Sequence, residues 1–296
     1  MIPDKPEYFR LGLIGWPVAH SLSPPIHQAA FQATGIPGEY NLYPIDPDNR
    51  ERELQSLLDR LRRRELHGLN VTVPYKEHLA KLVDELTPRA QAISAANTLY
   101  IKDGKLIGDN SDAPGFLNHL ARLRLVPLHR KLSWIILGAG GSARAVAYAL
   151  ARQGHSVTIS ARRSSQAQHL ADDLNLAPGV LIRLAWIALD YERISSQVRP
   201  DWLVNTTPAG MNPLIEQSPW PDEIPLPEAC RVYDLIYNPA ETVLLRRARQ
   251  TGHLAVNGLG MLVEQAAISF AIWTGRQPPL EALYPAVGLP PIQEAR

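Results

Sequence analysis

Short apolar or alternating runs in the first third of the chain are interleaved with longer segments whose apolar positions have helical spacing. These runs predict strands at residues 11–14, 40–45, 68–73, 97–101 and 106–108, and the helical spacing predicts helices at 24–33, 50–64 and 76–86. Asp103-Gly104 separates the last two strands as a two-residue hairpin turn would. Alternating strands and helices predict a small α/β domain with a mainly parallel sheet.

The pattern changes at residue 132, where an apolar strand ends in a glycine cluster and an Ala-rich helix follows. The pattern further predicts strands at 156–160, 202–204, 232–236 and 253–256, a connecting helix at 116–123 and an apolar final helix at 261–273. We expect the proline-rich segment 277–296 to be an irregular tail. The predicted fold class is α/β with two domains: an N-terminal α/β domain, residues 1–112 completed by C-terminal helices within 259–296, and a Rossmann-type doubly wound domain, residues 113–258.

Gly138, Gly140 and Ala143 occupy the three small-residue positions of the G-x-G-x-x-G/A fingerprint of dinucleotide-binding folds. Such a turn lets the backbone approach a pyrophosphate, which then lies at a helix N-terminus, where N–H groups and the positive dipole end favour an anion. The alternative is a structural glycine turn with no ligand. Its position between a strand and a helix favours the nucleotide site.

The loop after the second strand of this unit indicates which nucleotide binds. An NAD enzyme usually carries an acidic residue about 20 residues after the glycines, where it bonds the ribose 2′-hydroxyl. Here the strand runs into Ala161-Arg162-Arg163-Ser164, which has no carboxylate and two guanidinium groups. Arginine binds phosphate oxygens bidentately, so the loop favours NADP. A solvated basic loop is the alternative interpretation.

Composition and charge exclude several classes of protein. The 296 residues are 45% hydrophobic and 20% charged, which is ordinary for a globular protein, and a net charge of +1 gives no reason to expect nucleic acid or a membrane as a partner. The single cysteine, Cys230, excludes an internal disulfide and is interpreted as a core residue. The nine histidines lack metal-ligand spacing, so no metal is expected. The start of the chain, MIPDKPEYF, lacks a signal pattern, which together with the single cysteine favours the cytoplasm. We expect a monomer or homodimer that acts on a small molecule.

Two serines follow the first predicted strand, in the segment Gly15-Trp16-Pro17-Val18-Ala19-His20-Ser21-Leu22-Ser23-Pro24. Ser23 before Pro24 is typical of an N-cap with proline at the first helical position, which explains Ser23 without a ligand. That explanation gives no reason for the serine at position 21. Two hydroxyls at a helix N-terminus could hold a small carboxylate, which is the functional interpretation.

Polar residues also lie on elements that should be buried. Asn70 and Thr72 share one face of a predicted strand, and Lys76 stands beyond its carboxyl end, where ligands gather in open α/β sheets. The spacing alone fits a ligand site and an exposed edge strand equally well. Gln265 lies in the apolar segment MLVEQAAISFAIW, where a buried amide needs a partner that a ligand hydroxyl could supply.

At this point the motifs resemble the shikimate dehydrogenase family. The matching segments span about residues 11–275, in the family's order, and they are G-W-P-V-A-H-S-L-S-P, N-V-T-V-P-Y-K-E, A-N-T, G-D-N-S-D, G-A-G-G-S-A-R-A, N-T-T-P-A-G-M, Y-D-L-I-Y-N-P and N-G-L-G-M-L-V-E-Q-A-A. The resemblance implies an enzyme that reduces 3-dehydroshikimate to shikimate with NADPH.

The resemblance also implies roles for individual residues. Lys76 would be the acid/base residue and Asp112 its partner. The substrate carboxylate would be held by Ser21 and Ser23 with Tyr237 nearby, and the ring hydroxyls by Thr72, Asn97, Asp112 and Gln265, with Asn70 beside them. The cofactor would contact Gly138, Ala139, Gly140, Gly141 and Ser142 at the pyrophosphate, Ala161, Arg162 and Arg163 at the adenosine phosphate, and Leu235 and Gly258 at the nicotinamide.

Several positions depart from the family pattern. Ala161 and Gln166 replace a usual Asn and Arg, so Arg162 and Arg163 would carry more of the 2′-phosphate binding. Pro88, Ser111 and Ala113 also differ from the commoner residues. A quinate/shikimate dehydrogenase with relaxed use of NAD and NADP is one alternative, although such relatives often have Asp where this chain has Ser164. Methylenetetrahydrofolate dehydrogenase would not explain the S-L-S-P segment, and intact Lys76 and Asp112 argue against a catalytically silent NADP-binding regulator.

Overall fold

The structure is a computed structural model that describes residues 8–125, 130–180 and 183–290. Its strands are β1 (Phe9–Gly15), β2 (Gly38–Pro44), β3 (Gly68–Val71), β4 (Glu85–Leu86), β5 (Thr98–Lys102), β6 (Lys105–Asp109), β7 (Ser133–Leu137), β8 (Ser156–Ala161), β9 (Ala185–Ala188), β10 (Trp202–Asn205), β11 (Arg231–Asp234) and β12 (Ala255–Asn257). Its α-helices are α1 (Ser23–Thr34), α2 (Arg50–Arg62), α3 (Lys76–Leu79), α4 (Pro88–Ile93), α5 (Asp112–Arg122), α6 (Gly141–Arg152), α7 (Ser164–Asn175), α8 (Tyr191–Arg193), α9 (Val243–Gln250), α10 (Leu259–Thr274) and α11 (Leu280–Leu283).

The chain forms two compact units. Unit 1 comprises Met1–Gly115 and Leu262–Arg296, and unit 2 comprises Phe116–Met261. The boundaries at 115 and 261 lie close to the predicted ones at 112 and 258. Among the described residues, no helix has both the length and the apolarity to cross a membrane.

Unit 1 is built on a mixed sheet of strand order β2-β1-β3-β5-β6-β4. The β2-β1, β1-β3 and β4-β6 pairs are parallel, and the β3-β5 and β5-β6 pairs are antiparallel. The predicted hairpin joins β5 to β6, with both Asp103 and Gly104 at positive φ (51° and 78°), as a type I′ turn requires.

Helices cover both faces of this sheet. In α2 the buried residues Leu54, Leu57, Leu58 and Leu61 have the i, i+3, i+4, i+7 spacing of one helix face, and they pack with Leu69 and Val71 of β3. The opposite face of the sheet carries Leu11 and Leu13 of β1, which pack with residues of α1, α10 and α11. Each face therefore has its own hydrophobic cluster.

Two sequence predictions for this unit were wrong. The predicted helix 76–86 stops after one turn, because the chain beyond it hydrogen-bonds to β6. Asp84 N donates to Leu106 O at 2.9 Å, and Leu106 N donates to Asp84 Oδ2 at 2.7 Å. The predicted irregular tail contains α11, with Leu283 fully buried and the Tyr284 hydroxyl donating to Glu264 Oε1 at 3.0 Å. Residues 291–296 of that segment lie outside the described ranges.

Unit 2 has a fully parallel sheet of strand order β12-β11-β10-β7-β8-β9. Read from β9, this is the 3-2-1-4-5-6 order of the Rossmann fold, and the order reverses between β7 and β10. Trp134 and Trp202 stack in the core with ring centroids 5.0 Å apart. Cys230 is buried, and burial raises the pKa of its thiol to about 12, which confirms it as a core residue.

Candidate functional site

The backbone around Lys76 is held on two sides. The hydroxyl of Tyr75 donates to the carbonyl of Ile45 at 2.6 Å, and the carbonyl of Lys76 accepts from Ala96 N at 3.0 Å. Lys76 begins α3 directly after the turn that follows β3. Its side chain therefore starts from a fixed position at the carboxyl end of a central strand.

Lys76 and Asp112 form an ion pair within unit 1. Nζ of Lys76 donates to Oδ2 of Asp112 at 2.6 Å, and the two side chains are only 11% and 7% exposed. Asp112 is the first residue of α5, and Oδ1 of Asn110, two residues before the helix, accepts from Ala113 N in its first turn at 3.2 Å. A shielded ammonium held by a carboxylate can deliver a proton to a ligand atom and take it back.

Asn97 and Gln265 lie beside this pair. Nδ2 of Asn97 donates to Oδ1 of Asp112 at 2.8 Å and lies 3.5 Å from Oε1 of Gln265. Nε2 of Gln265 donates to Leu262 O at 2.8 Å. The buried amide of Gln265 therefore has hydrogen-bond partners within the protein. Its burial does not by itself require a ligand hydroxyl as a partner, contrary to the argument from sequence.

Asn70 lies on a central strand, not an exposed edge, because β3 is flanked by β1 and β5. The edge-strand alternative is thus wrong. Asn70 is 4% exposed; its Oδ1 accepts from the hydroxyl of Tyr40 at 2.8 Å, and Nδ2 donates to Asn97 O at 3.1 Å and to Ser269 Oγ at 3.0 Å. Both amide hydrogens are used inside the protein, which makes Asn70 a support for neighbouring residues.

The predicted N-cap role of Ser23 is wrong. Helix α1 begins at Ser23, the N-cap position is Leu22, and no side chain caps the helix. Ser21 Oγ instead accepts from Ser23 N at 3.2 Å. Ser21 is half-buried and Ser23 is buried. Both hydroxyls lie at the helix N-terminus, where an anion is favoured.

The segments that follow β1 and β3 meet at one edge of the sheet. Trp16 N donates to Val73 O at 2.9 Å, and Thr72 N donates to Ile14 O at 2.8 Å. A Cβ added at Gly15 would collide with Thr72 Cγ2, so any larger residue there would displace the Thr72 side chain. The loop that carries the two serines and the turn that leads to the lysine therefore adjoin each other at the carboxyl edge.

In unit 2 the glycine turn follows β7 at the point where the strand order reverses. Gly138 has φ +113°, and a Cβ there would collide with Thr206 Oγ1. Gly140 is the N-cap of α6, with no side-chain cap and no heavy atom within 4 Å of an added Cβ. This open, anion-favouring helix start fits a dinucleotide pyrophosphate at residues 138–142, the segment that includes Ala139, Gly141 and Ser142.

The predicted phosphate loop leaves β8 at Ala161, which is buried. Arg162 and Arg163 are both exposed. Arg163 is the N-cap residue of α7, which has no side-chain cap. Among the described residues no ion-pair partner is found for either guanidinium group, so both are available to an anionic ligand.

The predicted nicotinamide neighbours adjoin each other. A Cβ at Gly258 would collide with the carbonyl oxygen of Leu235, and Gly258 N donates to Ile236 O at 3.1 Å. Leu235 N in turn donates to Asn205 O at 3.0 Å, which ties this segment to the end of β10. Tyr237, predicted near the substrate carboxylate, is half-buried in the same segment of unit 2.

Sequence reasoning missed two buried polar groups. Ser269 bonds Asn70, and its position four residues after Gln265 on an apolar helix is the signal that could have revealed it. Asp234 is buried at the end of β11, where it accepts from Asn205 Nδ2 at 2.9 Å and Thr242 Oγ1 at 2.7 Å. Burial raises the pKa of Asp234 to about 6.

Within the described ranges, no group of three or more His, Cys, Asp or Glu side chains could hold a metal ion.

The fold of unit 2, with its glycine turn at the switch point, places the chain in the class of dinucleotide-binding α/β proteins. Two family models match the chain: the shikimate dehydrogenase substrate binding domain over residues 13–99 and the shikimate 5'-dehydrogenase C-terminal domain over residues 258–287. The shikimate dehydrogenase (NADP(+)) of Methanopyrus kandleri is 40% identical over 279 residues, which are 94% of each chain. The chain belongs to the shikimate dehydrogenase family.

Solved structures agree with this assignment. The shikimate 5-dehydrogenase of Thermus thermophilus, in complex with NADP(H) and shikimate, is 35% identical, with a TM-score of 0.79 over 94% of this chain and 98% of that one. The shikimate 5-dehydrogenase of Listeria monocytogenes, in complex with shikimate and NAD, is 29% identical, with a TM-score of 0.79 over 93% and 95%.

Proposed function

We propose that this chain is an NADP-dependent shikimate dehydrogenase, which reversibly reduces 3-dehydroshikimate to shikimate in the biosynthesis of chorismate and the aromatic amino acids. The observation that carries the proposal is the shielded ion pair between Lys76 and Asp112. It provides the proton-transfer group that reduction of a ketone requires, in a chain 40% identical to an enzyme named for this activity.

Lys76 is the proton donor in the reduction. NADPH, when bound, supplies the hydride that adds to the ketone carbon. As the carbonyl bond is reduced, Lys76 gives a proton to the oxygen, forming the O–H bond and leaving a neutral amine that regains its proton from solvent. The reaction consumes one proton and one NADPH and yields the alcohol and NADP⁺. Asp112 orients the ammonium and stabilises its charge.

The residues at the carboxyl edge of the unit 1 sheet bind the substrate. Ser21 and Ser23 hold the carboxylate at the N-terminus of α1. The ring hydroxyls are bound by Thr72, Asn97, Asp112 and Gln265. Support for this assignment is the adjacency of the segments that follow β1 and β3, together with the hydrogen bond from Asn97 to Asp112.

The glycine turn at residues 138–142 and the loop after β8, which carries Arg162 and Arg163, bind the cofactor. The pyrophosphate lies on residues 138–142, where the helix start is open and uncapped. Arg162 and Arg163 bind the 2′-phosphate beside Ala161, and Leu235 and Gly258 border the nicotinamide. The exposed guanidinium groups support NADP over NAD, because a 2′-phosphate is the anion that distinguishes the two cofactors.

Steady-state kinetics of the purified protein test the proposal, with shikimate or quinate as substrate and NADP⁺ or NAD⁺ as cofactor. We expect kcat/KM to be highest for shikimate with NADP⁺. Comparable rates with quinate or with NAD⁺ would instead indicate a quinate/shikimate dehydrogenase with relaxed specificity. NADP⁺ binding with no turnover of either substrate would indicate a regulator and would refute the proposal.

We also propose a cytoplasmic location and a monomeric or homodimeric state. The ordinary charge balance and the single buried cysteine support the first. Cell fractionation and light scattering test the two statements separately.

A further inference from the structure

Three hydroxyl groups form a closed, fully buried triangle in unit 1. Oγ1 of Thr98 lies 3.1 Å from Oγ of Ser111 and 2.9 Å from Oγ of Ser269, and the two serine oxygens lie 2.9 Å apart. All three residues have 0% exposure. They come from the start of β5, the loop before α5 and the middle of α10, so the triangle joins three separate segments of the chain.

The triangle connects the side-chain amides of the candidate site. Asn70 Nδ2 donates to Ser269 Oγ at 3.0 Å on one side. On the other, Ser111 Oγ accepts from Asn97 Nδ2 at 2.9 Å and lies within donating distance of Gln265 Oε1 at 3.3 Å. Ser111 is therefore the one member of the triangle that contacts both Asn97 and Gln265.

Backbone groups fix which way these amides point. Oδ1 of Asn97 accepts from Ser111 N at 2.6 Å. The Nδ2 group of Asn70 also donates to Asn97 O at 3.1 Å, and Nε2 of Gln265 donates to Leu262 O at 2.8 Å. A carbonyl only accepts, so the amide nitrogens must face the carbonyls and Oε1 of Gln265 must face Ser111. Ser269 then accepts from Asn70 and passes its own hydrogen into the triangle, and the hydroxyl of Ser111 has acceptors in Asn97 Oδ1 at 3.2 Å and Gln265 Oε1 at 3.3 Å.

We infer that Ser111, supported by Ser269, is a positioning residue that sets the amides of Asn97 and Gln265 for the substrate's ring hydroxyls. This inference rests on the proposed function, which gives those two amides their ligand. The hydroxyl of Ser111 has no solvent to replace a lost partner, so its removal leaves both amides with a missing bond. Asn97 keeps its bond from Ser111 N and Gln265 keeps its bond to Leu262 O, so each amide stays anchored at one end and is less restrained at the end that faced the hydroxyl, which weakens its fit to the substrate.

The inference predicts that the KM for shikimate changes while the KM for NADP⁺ does not. A general loss of packing or stability would not affect only one of the two. In Ser111→Ala we expect the KM for shikimate to rise about three- to tenfold, the range that corresponds to one neutral hydrogen bond. The KM for NADP⁺ should stay unchanged, because the triangle lies wholly within unit 1. Ser269→Ala should change the KM for shikimate in the same direction and by less, since Ser269 reaches the site amides through Ser111 and Asn70.

Two further variants separate positioning from folding. Ser111→Thr keeps the hydroxyl and should restore a KM for shikimate near that of the wild type. Ser133→Ala, in unit 2, removes a hydroxyl that donates to Asp201 Oδ2 at 2.9 Å, and it should leave both KM values unchanged. Denaturation curves of all variants show how much folded protein each assay contains.

A readout without substrate tests the same inference independently of activity. The side-chain ¹H–¹⁵N amide resonances of Asn97 and Gln265 should shift in Ser111→Ala and not in Ser133→Ala. An unchanged KM for shikimate in Ser111→Ala, equal changes in both KM values, or unshifted amide resonances would overturn the inference. A wild-type protein that fails to oxidise shikimate would refute the proposed function, and the amide resonances would then still decide whether Ser111 sets these side chains.

Discussion

Asp112 holds two different groups with its two carboxylate oxygens: Oδ2 accepts from Lys76 Nζ at 2.6 Å, and Oδ1 accepts from Asn97 Nδ2 at 2.8 Å. Because each oxygen has its own partner, rotation of the carboxylate would break both bonds. The arrangement fixes the ammonium relative to an amide that we assign to substrate binding. In the proposed function, this one side chain would couple proton transfer to substrate orientation.

Lys76→Ala tests the role of the ammonium. We expect kcat to fall by about 10²- to 10⁴-fold, the usual contribution of general acid–base catalysis, with a much smaller change in the KM for shikimate. Lys105→Ala is the matched control, because Lys105 also forms an ion pair, with Glu85, but is exposed in unit 1. The measurement is the steady-state kcat of the wild type, Lys76→Ala and Lys105→Ala with shikimate and NADP⁺. A normal kcat in Lys76→Ala would show that Lys76 is not part of the mechanism.

Arg162→Ala tests the choice of cofactor. We expect the KM for NADPH to rise about tenfold or more, because a charge-assisted bond to phosphate is lost, while the KM for NADH stays the same. The exposed Arg64 of unit 1 supplies an arginine-to-alanine control that should change neither value. Equal effects on the two cofactors would show that Arg162 does not read the 2′-phosphate.

Features set by local sequence could be predicted. The glycine turn was recognised from the spacing of Gly138, Gly140 and Ala143 between a strand and a helix, and the backbone itself requires glycine at Gly138, where φ is +113°. The hairpin turn at Asp103-Gly104 was recognised for the same reason. The pairing of Lys76 with Asp112, 36 positions apart, came from the family resemblance, since spacing alone gave no reason for it.

Features created by tertiary contact could not be predicted. Strand β4 exists because Asp84 bonds the backbone of β6, which overrides the local helical spacing. The hydroxyl triangle joins residues up to 171 positions apart. Serine and threonine are common in loops and on surfaces, so nothing in the local sequence distinguishes Ser111 from a solvated residue. For Ser269 the local signal is its place on an apolar helix, and its partners in the triangle are set by tertiary contact.

Gly138→Ala tests the glycine turn. The added Cβ would meet Thr206 Oγ1, and the φ of +113° disfavours any side chain. We expect the turn to shift and the dissociation constant for NADP⁺ to rise at least about tenfold, as measured by calorimetry. Gly252→Ala is the control: Gly252 also has positive φ (82°), but no heavy atom lies within 4 Å of an added Cβ. It should lower stability by about 1 kcal/mol and leave NADP⁺ binding unchanged.

His27→Phe tests a source of acid sensitivity in unit 1. His27 is fully buried and stacks on the ring of Tyr40, with centroids 4.1 Å apart. Burial lowers the pKa of His27 from 6.5 to about 3, because the charged form loses its hydration, and this effect outweighs the side chain of Asn70, which raises the pKa. The unfolded chain binds a proton below about pH 6.5 and the folded chain does not, so unfolding takes up a proton between about pH 6.5 and 3.

The free energy of unfolding of the wild type should therefore fall with decreasing pH, relative to His27→Phe, by as much as about 1.4 kcal/mol per pH unit in that window. Urea denaturation at pH 7, 6, 5 and 4 measures this difference. Asp234, whose pKa burial raises to about 6, changes stability in the opposite direction with pH, but it is present in both proteins and cancels. The exposed His169 provides the control, and His169→Phe should follow the wild type at every pH. Parallel curves for wild type and His27→Phe would mean that the folded protein accommodates the protonated ring.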